Sequence, residues 1–129
     1  MPRFVLLRHE CPSTYKPSHW DLMLELAESL ATWELAELPS SWCKQLGMPT
    51  AGGIAEVPAV RLADHRLAYL DYEGPLSGDR GTVHQQDGGT YQSLEYQEDL
   101  LRFSIAGNKL NGKATLSENQ QIWRLSANQ

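Results

Sequence analysis

Apolar and polar residues alternate with a period of two along much of this chain, the signature of strands that bury one face. The clearest case is His19–Leu26 (HWDLMLEL). His19, Asp21, Met23 and Glu25 fall on one face, and Trp20, Leu22, Leu24 and Leu26 on the other. The apolar face is expected to pack on the core, and a closed or strongly curved sheet would place the polar face in a pocket. Phe4–Leu7 is a short, wholly apolar strand, and Ala31–Leu35 is the return strand of a hairpin that turns at Glu28–Ser29. Ala55–Leu62 is expected to be extended. Thr82–Gln86 and Thr90–Gln97 read as hairpin strands about Asp87-Gly88-Gly89, because such dipeptides favour tight turns. Leu100–Ala106, Lys113–Ser117 and Gln121–Ser126 follow, separated by turns at Gly107-Asn108 and Glu118-Asn119.

Between these strands, Glu10–Ser18 carries Pro12 and Pro17 and reads as an irregular loop. Pro39–Gly47 is the best short helix, with Ser40 or Ser41 to cap its start and Gly47 its end. His65–Leu70 is expected to be a turn or short helix, and Gly74–Gly81 a loop. The fold class is mainly β, a barrel or sandwich of short strands.

The 129 residues fit a single domain, 1–129, with 41% hydrophobic and 21% charged residues. No apolar run approaches the roughly 20 residues of a membrane span, and the N-terminal apolar stretch is too short for a signal peptide. Cys11 and Cys43 lack metal-type spacing and are expected to be reduced thiols of a cytoplasmic protein. Cys11 lies two residues from His9, but nothing beside it resembles an orienting or oxyanion-stabilising motif. A net charge of −5 with only 11 Lys and Arg argues against strong general affinity for duplex DNA. A nucleic-acid end or a small phosphorylated molecule stays open if the cations converge.

Candidate chemistry centres on three of the four histidines. His9 closes the first apolar run, His19-x-Asp21 places an imidazole and a carboxylate side by side on a strand, and His65 ends another extended segment. Neutral imidazole plus carboxylate suits Zn²⁺, Mn²⁺ or Fe²⁺ and leaves an open coordination position. On spacing alone, histidines scattered in this way are more often surface or hydrogen-bonded core residues. His84, beside glutamines, is expected in solvent. Trp20, Trp33, Trp42 and Trp123 are expected in the core or against the helix rather than as base-stacking platforms.

Three stretches together carry a family resemblance: Arg8-His9, His19-Trp20-Asp21-Leu22-Met23-Leu24-Glu25, and Asp64-His65-Arg66-Leu67-Ala68-Tyr69-Leu70-Asp71-Tyr72-Glu73-Gly74. They resemble the K-H, L-H-Y-D-F-R-L-E and E-D-H-x-L-x-Y-x-x-F-E-G motifs of the 3′-phosphoesterase domain of bacterial DNA ligase D. Gly81-Thr82-Val83, Gly88-Gly89-Thr90-Tyr91, Gly107–Lys113 and Ile122–Leu125 are similar to its later segments. The resemblance implies a compact β-barrel flanked by one or two short helices. It also implies a Mn²⁺-dependent enzyme, with Zn²⁺ or another transition metal as alternatives, that removes a 3′-ribonucleoside or 3′-phosphate and leaves a 3′-hydroxyl. By position, His9, Asp21 and His65 would be its metal ligands, His19 its phosphate contact and Tyr69 its active-site tyrosine. The implied partners are nucleic-acid 3′ ends and separate ligase or polymerase chains.

The chain departs from the family where Met23, Glu37 and Val57 stand at positions that are basic there. Arg8, Lys16, Arg61, Arg66 and Arg80 are the cations available to replace them. The departures favour two further readings: a non-catalytic metal- or nucleic-acid-binding module, and a phosphoesterase for a small molecule.

Overall fold

The computed structural model describes residues 1–127. Nine strands form among them: β1 (Arg3–Glu10), β2 (His19–Glu25), β3 (Leu30–Leu35), β4 (Glu56–His65), β5 (Gly74–Pro75), β6 (Thr82–Gln97), β7 (Leu100–Gly107), β8 (Asn111–Asn119) and β9 (Ile122–Ala127). The helix α1 (Ser40–Leu46) and a 3₁₀ turn (Leu67–Leu70) complete the elements. The strand order is β1-β2-β3-β4-β9-β8-β7-β6-β5, and β1 also pairs with β6. Eight strands therefore close a hydrogen-bonded ring, with β5 added outside it on β6. Among the described residues, no helix is long and apolar enough to cross a membrane.

Alternation sorts the side chains into two cores. Phe4, Leu6, Leu22, Leu24, Trp33, Leu35, Val57, Phe103, Leu116 and Leu125 come from strands all round the ring and pack together inside it. Val5, Leu7, Met23 and Leu30 point outwards and pack with Leu70 of the 3₁₀ turn and Val83 of β6. Phe4–Leu7 is apolar throughout because β1 is buried on both faces. β1 runs beyond the expected Leu7 because His9 pairs with His19 and Glu10 with Thr82. The helix sets Trp42, Cys43 and Leu46 on the inner core, and Trp20 and Trp123 pack against the same core.

Three sequence expectations are corrected. The hairpin about Asp87-Gly88-Gly89 does not form: Thr82–Gln97 is one strand of 16 residues. Neither glycine has positive φ. They serve close approach instead, since a Cβ on Gly89 would lie 2.1 Å from the Ala106 carbonyl oxygen and one on Gly88 2.0 Å from Gln85 Nε2. The buried Asp87 carboxylate accepts the backbone N–H groups of Lys109 (3.1 Å) and Leu110 (2.8 Å), holding the β7–β8 turn. Second, neither Ser40 nor Ser41 caps α1. Ser40 Oγ accepts from the N–H of Ile54, and Ser41 Oγ donates to the Ala127 carbonyl, so both tie the helix to neighbouring chain. Gly47 does end the helix, at φ 73°. Third, the last turn lies at Gln120–Gln121, both with positive φ, and Glu118-Asn119 stays in β8.

Candidate metal centre

Antiparallel registry assembles the site. β1 sets His9 opposite His19 and Leu7 opposite Asp21, and β3 sets Glu34 opposite Asp21. With a two-residue period, His9, His19, Asp21 and Met23 share the outward face. They line a cavity of about 110 Å³ closed by His65, Tyr69, Lys16 and Arg80. All five residues expected from the sequence, His9, His19, Asp21, His65 and Tyr69, thus reach one pocket.

Each of the three histidines has one ring nitrogen on a backbone carbonyl. His9 Nε2 lies 2.7 Å from the Arg80 oxygen, His19 Nδ1 3.0 Å from that of Pro17 and His65 Nδ1 2.9 Å from that of Ala63. A carbonyl only accepts, so each of these nitrogens donates its N–H. In the neutral rings, His9 Nδ1, His19 Nε2 and His65 Nε2 are therefore the lone-pair nitrogens. Fixing the far nitrogen in this way is how proteins orient metal-binding imidazoles.

The carboxylate completes the donor set. Asp21 Oδ2 lies 3.7 Å from His9 Nδ1, and Asp21 Oδ1 lies 3.3 Å from His19 Nε2. Asp21 is 5% exposed, and its Oδ1 has no hydrogen-bond partner. Burial alone would push its pKa up, but the adjacent His19 and His9 outweigh burial and hold it down to about 2. Burial pulls the His19 pKa down, while Asp21, the Pro17 carbonyl and Glu34 pull it up, and the net shift is upward. Lone-pair nitrogens facing a buried carboxylate repel unless a proton or cation lies between them. Imidazole nitrogen plus carboxylate oxygen fits a divalent transition metal, so the residues present suit such an ion.

Ligand atoms within 4.8 Å of one another form two groups among the described residues, His9/Cys11/His19 and His19/Asp21/Glu34. His65 belongs to neither; its ring stacks edge-on against Tyr69 with centroids 5.7 Å apart. The implied set of His9, Asp21 and His65 thus shares the pocket without all three gathering to that distance. Cys11 Sγ lies 4.0 Å from His19 Nδ1, the nitrogen that donates to Pro17, and burial pushes the thiol pKa up. That is the opposite of an activated nucleophile.

Two lining groups, Lys16 and Arg80, and one beside the pocket, Glu34, are not among the site residues to which the sequence points. Glu34 Oε1 is 3.5 Å from His19 Nε2 and accepts from Lys16 Nζ at 2.6 Å. Arg80 sits on the Gly74–Gly81 segment, which closes on β1 at Gly81, where φ is 95° and a Cβ would lie 1.9 Å from the Glu10 carbonyl oxygen. Among the other cations, Arg8 covers Trp20 and pairs with Glu10, and Arg61 covers Trp33 and pairs with Asp64. Met23, 1% exposed, forms part of the pocket wall. Glu37 is exposed away from the pocket, and Val57 is wholly buried in the inner core, so neither side chain faces the site. His84 is exposed, as expected.

A comparison with family models matches residues 8–118 to the DNA Ligase D 3′-phosphoesterase domain. A comparison with curated proteins finds no match.

Proposed function

This chain belongs to the DNA ligase D 3′-phosphoesterase domain family, and from that membership and the pocket's donor set we propose that it is a metal-dependent phosphoesterase of nucleic-acid 3′ ends. It removes a 3′-phosphate or a terminal 3′-ribonucleoside and leaves a 3′-hydroxyl fit for ligation. The closed ring of strands serves as a small β-barrel scaffold. The observation that carries the reading is the buried, unpartnered Oδ1 of Asp21 beside histidines whose far nitrogens are all fixed by carbonyls.

His9 and Asp21 would hold the ion, with His65 from the far wall and Glu34 as the nearest additional carboxylate; Mn²⁺ is the first candidate and Zn²⁺ the second. A divalent cation held there would supply Lewis acidity toward a phosphoryl oxygen and a bound water. His19, with its pKa raised by neighbouring carboxylates against burial, holds a proton on Nε2 for the phosphate or leaving oxygen. Lys16 supplies the ammonium that neutralises phosphate in place of an arginine at Met23, releasing Glu34 as it does so. Tyr69 lines the same wall and offers a hydroxyl donor. Leu7, Met23 and Val83 keep that wall apolar and limit water.

The test is phosphate release from a 3′-phosphorylated primer with and without Mn²⁺. Turnover should be stimulated by the metal and fall more than 100-fold in His9→Ala, Asp21→Ala and His65→Ala. Undiminished turnover in all three, or none with any divalent ion, rejects the reading. The position of His65 outside both ligand groups favours a second reading, a metal-binding module without turnover. It predicts metal-dependent thermal stabilisation alone.

A further inference from the structure

We propose that a cationic groove beside the pocket, with Arg66, Arg80 and Tyr72 in its lining, seats the nucleic-acid strand upstream of the 3′ end. The inference rests on the phosphoesterase reading above and adds a binding site to it. The groove has a volume of about 380 Å³, more than three times that of the pocket, and continues from it through the shared residues Tyr69, Leu76 and Arg80. Arg66, Tyr72 and Ser77 complete the lining that matters here.

The charge distribution and the contact with the pocket together favour this surface. Six of the 11 Lys and Arg residues pair with a carboxylate among the described residues: Arg3, Arg8, Lys16, Arg61, Arg102 and Arg124. Arg66, Arg80, Lys44, Lys109 and Lys113 do not, and of these Arg66 and Arg80 face the groove that adjoins the pocket. Arg80 is instead oriented by Ser77, donating from Nε to its carbonyl (2.8 Å) and from Nη2 to its hydroxyl (3.1 Å). Among the described residues, no carboxylate lines the groove. Nearby Asp71 is taken by Arg3 at 2.7 Å, and Glu73 accepts the N–H of Gln85 at 2.6 Å. On a protein of net charge −5, a groove with two guanidinium groups that pair with no carboxylate attracts phosphate locally.

Aromatic geometry points the same way. His65, Tyr69 and Tyr72 form an edge-to-face chain, with centroids 5.7 Å and then 5.9 Å apart, running from pocket to groove. Tyr72 is 37% exposed. Guanidinium groups for the backbone and an open aromatic ring for a base are the usual elements of single-strand binding without sequence preference.

The experiment measures binding of a fluorescent 3′-phosphorylated oligonucleotide by anisotropy over a salt series in Mn²⁺. A 3′-phosphomononucleoside is the competitor lacking upstream phosphates. The wild type should bind the oligonucleotide at least tenfold more tightly than the mononucleoside. Arg66→Glu should weaken oligonucleotide binding about tenfold and reduce the log–log salt slope by roughly 0.7, with mononucleoside affinity changed less than twofold. Lys113→Glu, the same charge change on another face, should leave the slope unmoved. Equal effects of the two variants, or an equal loss of both ligands in Arg66→Glu, overturn the groove, as does a wild type that does not prefer the oligonucleotide. Arg66-dependent binding without turnover would uphold the groove and reject the phosphoesterase reading. Turnover with binding indifferent to Arg66 would do the reverse.

Discussion

β1 and β2 present two faces built from the same alternation, and the faces have different fates. The inner face meets side chains from around the whole ring, and Phe4, Leu6, Leu22 and Leu24 are at most 1% exposed there. The outer face is covered by a 3₁₀ turn and a loop instead of a second packed layer. It stays apolar through Val5, Leu7 and Met23, then gives way to His9, His19 and Asp21. A strand's period thus tells which residues travel together, while the layer opposite decides whether they become core or site. Polar groups persist where the cover is thin enough to leave a cavity and close enough to bury them.

The sharpest way to break this contrast is to damage the inner face alone. Phe103→Ala should cost about 3–5 kcal/mol in denaturant unfolding, while metal affinity of the folded fraction stays within twofold. Loss of metal binding in step with stability would mean that the faces are not separable. Next in size, saturating the wild type with Mn²⁺ at about 100 times its Kd should add roughly 2.7 kcal/mol of stability. Asp21→Asn should show no such gain in a thermal melt.

Acid titration of the metal-free protein probes the outer face without any ligand. The folded-state pKa of Asp21 is depressed, so its contribution is complete above the ordinary value near 4 and is lost as pH falls through about 2. The depression corresponds to about 2 kcal/mol. Chemical denaturation at pH 5 and pH 2 should show that loss in the wild type beyond whatever Asp21→Asn shows. The smallest effect belongs to a position on neither face: Gly47→Ala, forcing a Cβ into φ 73°, should cost about 1 kcal/mol and leave metal binding unchanged.

How much of this was legible depended on whether the information was local. The period in HWDLMLEL placed His19, Asp21 and Met23 together and Trp20, Leu22 and Leu24 opposite, as the structure has them. Glu34 was within reach of the same logic, because a hairpin turning at residues 26–29 must set it opposite Asp21. Lys16 and Arg80 sit on loops, where no period reports direction. Asp87-Gly88-Gly89 misled because its glycines answer to Ala106 and Gln85, and the Ala106 contact is invisible along the chain. Val57 looked like a vacancy in a basic shell, yet its side chain points into the ring, where a cation would have no partner.

Gly81 gives the site an uneven tolerance of mutation. Its neighbour Arg80 lends a carbonyl to His9 on one side and a guanidinium to the groove on the other. Any side chain at residue 81 would collide with the Glu10 backbone and pry the segment from β1. A single codon change there would therefore strip the histidine of its orienting acceptor and displace the arginine together. At the exposed tip a side chain on Gly78 would meet nothing within 4 Å, so substitutions at Gly78 and Asp79 should carry only the modest cost of their left-handed backbone, at φ 72° and 54°. A saturation library of residues 77–81 would show this as a steep gradient, permissive at the tip and closed at its last member.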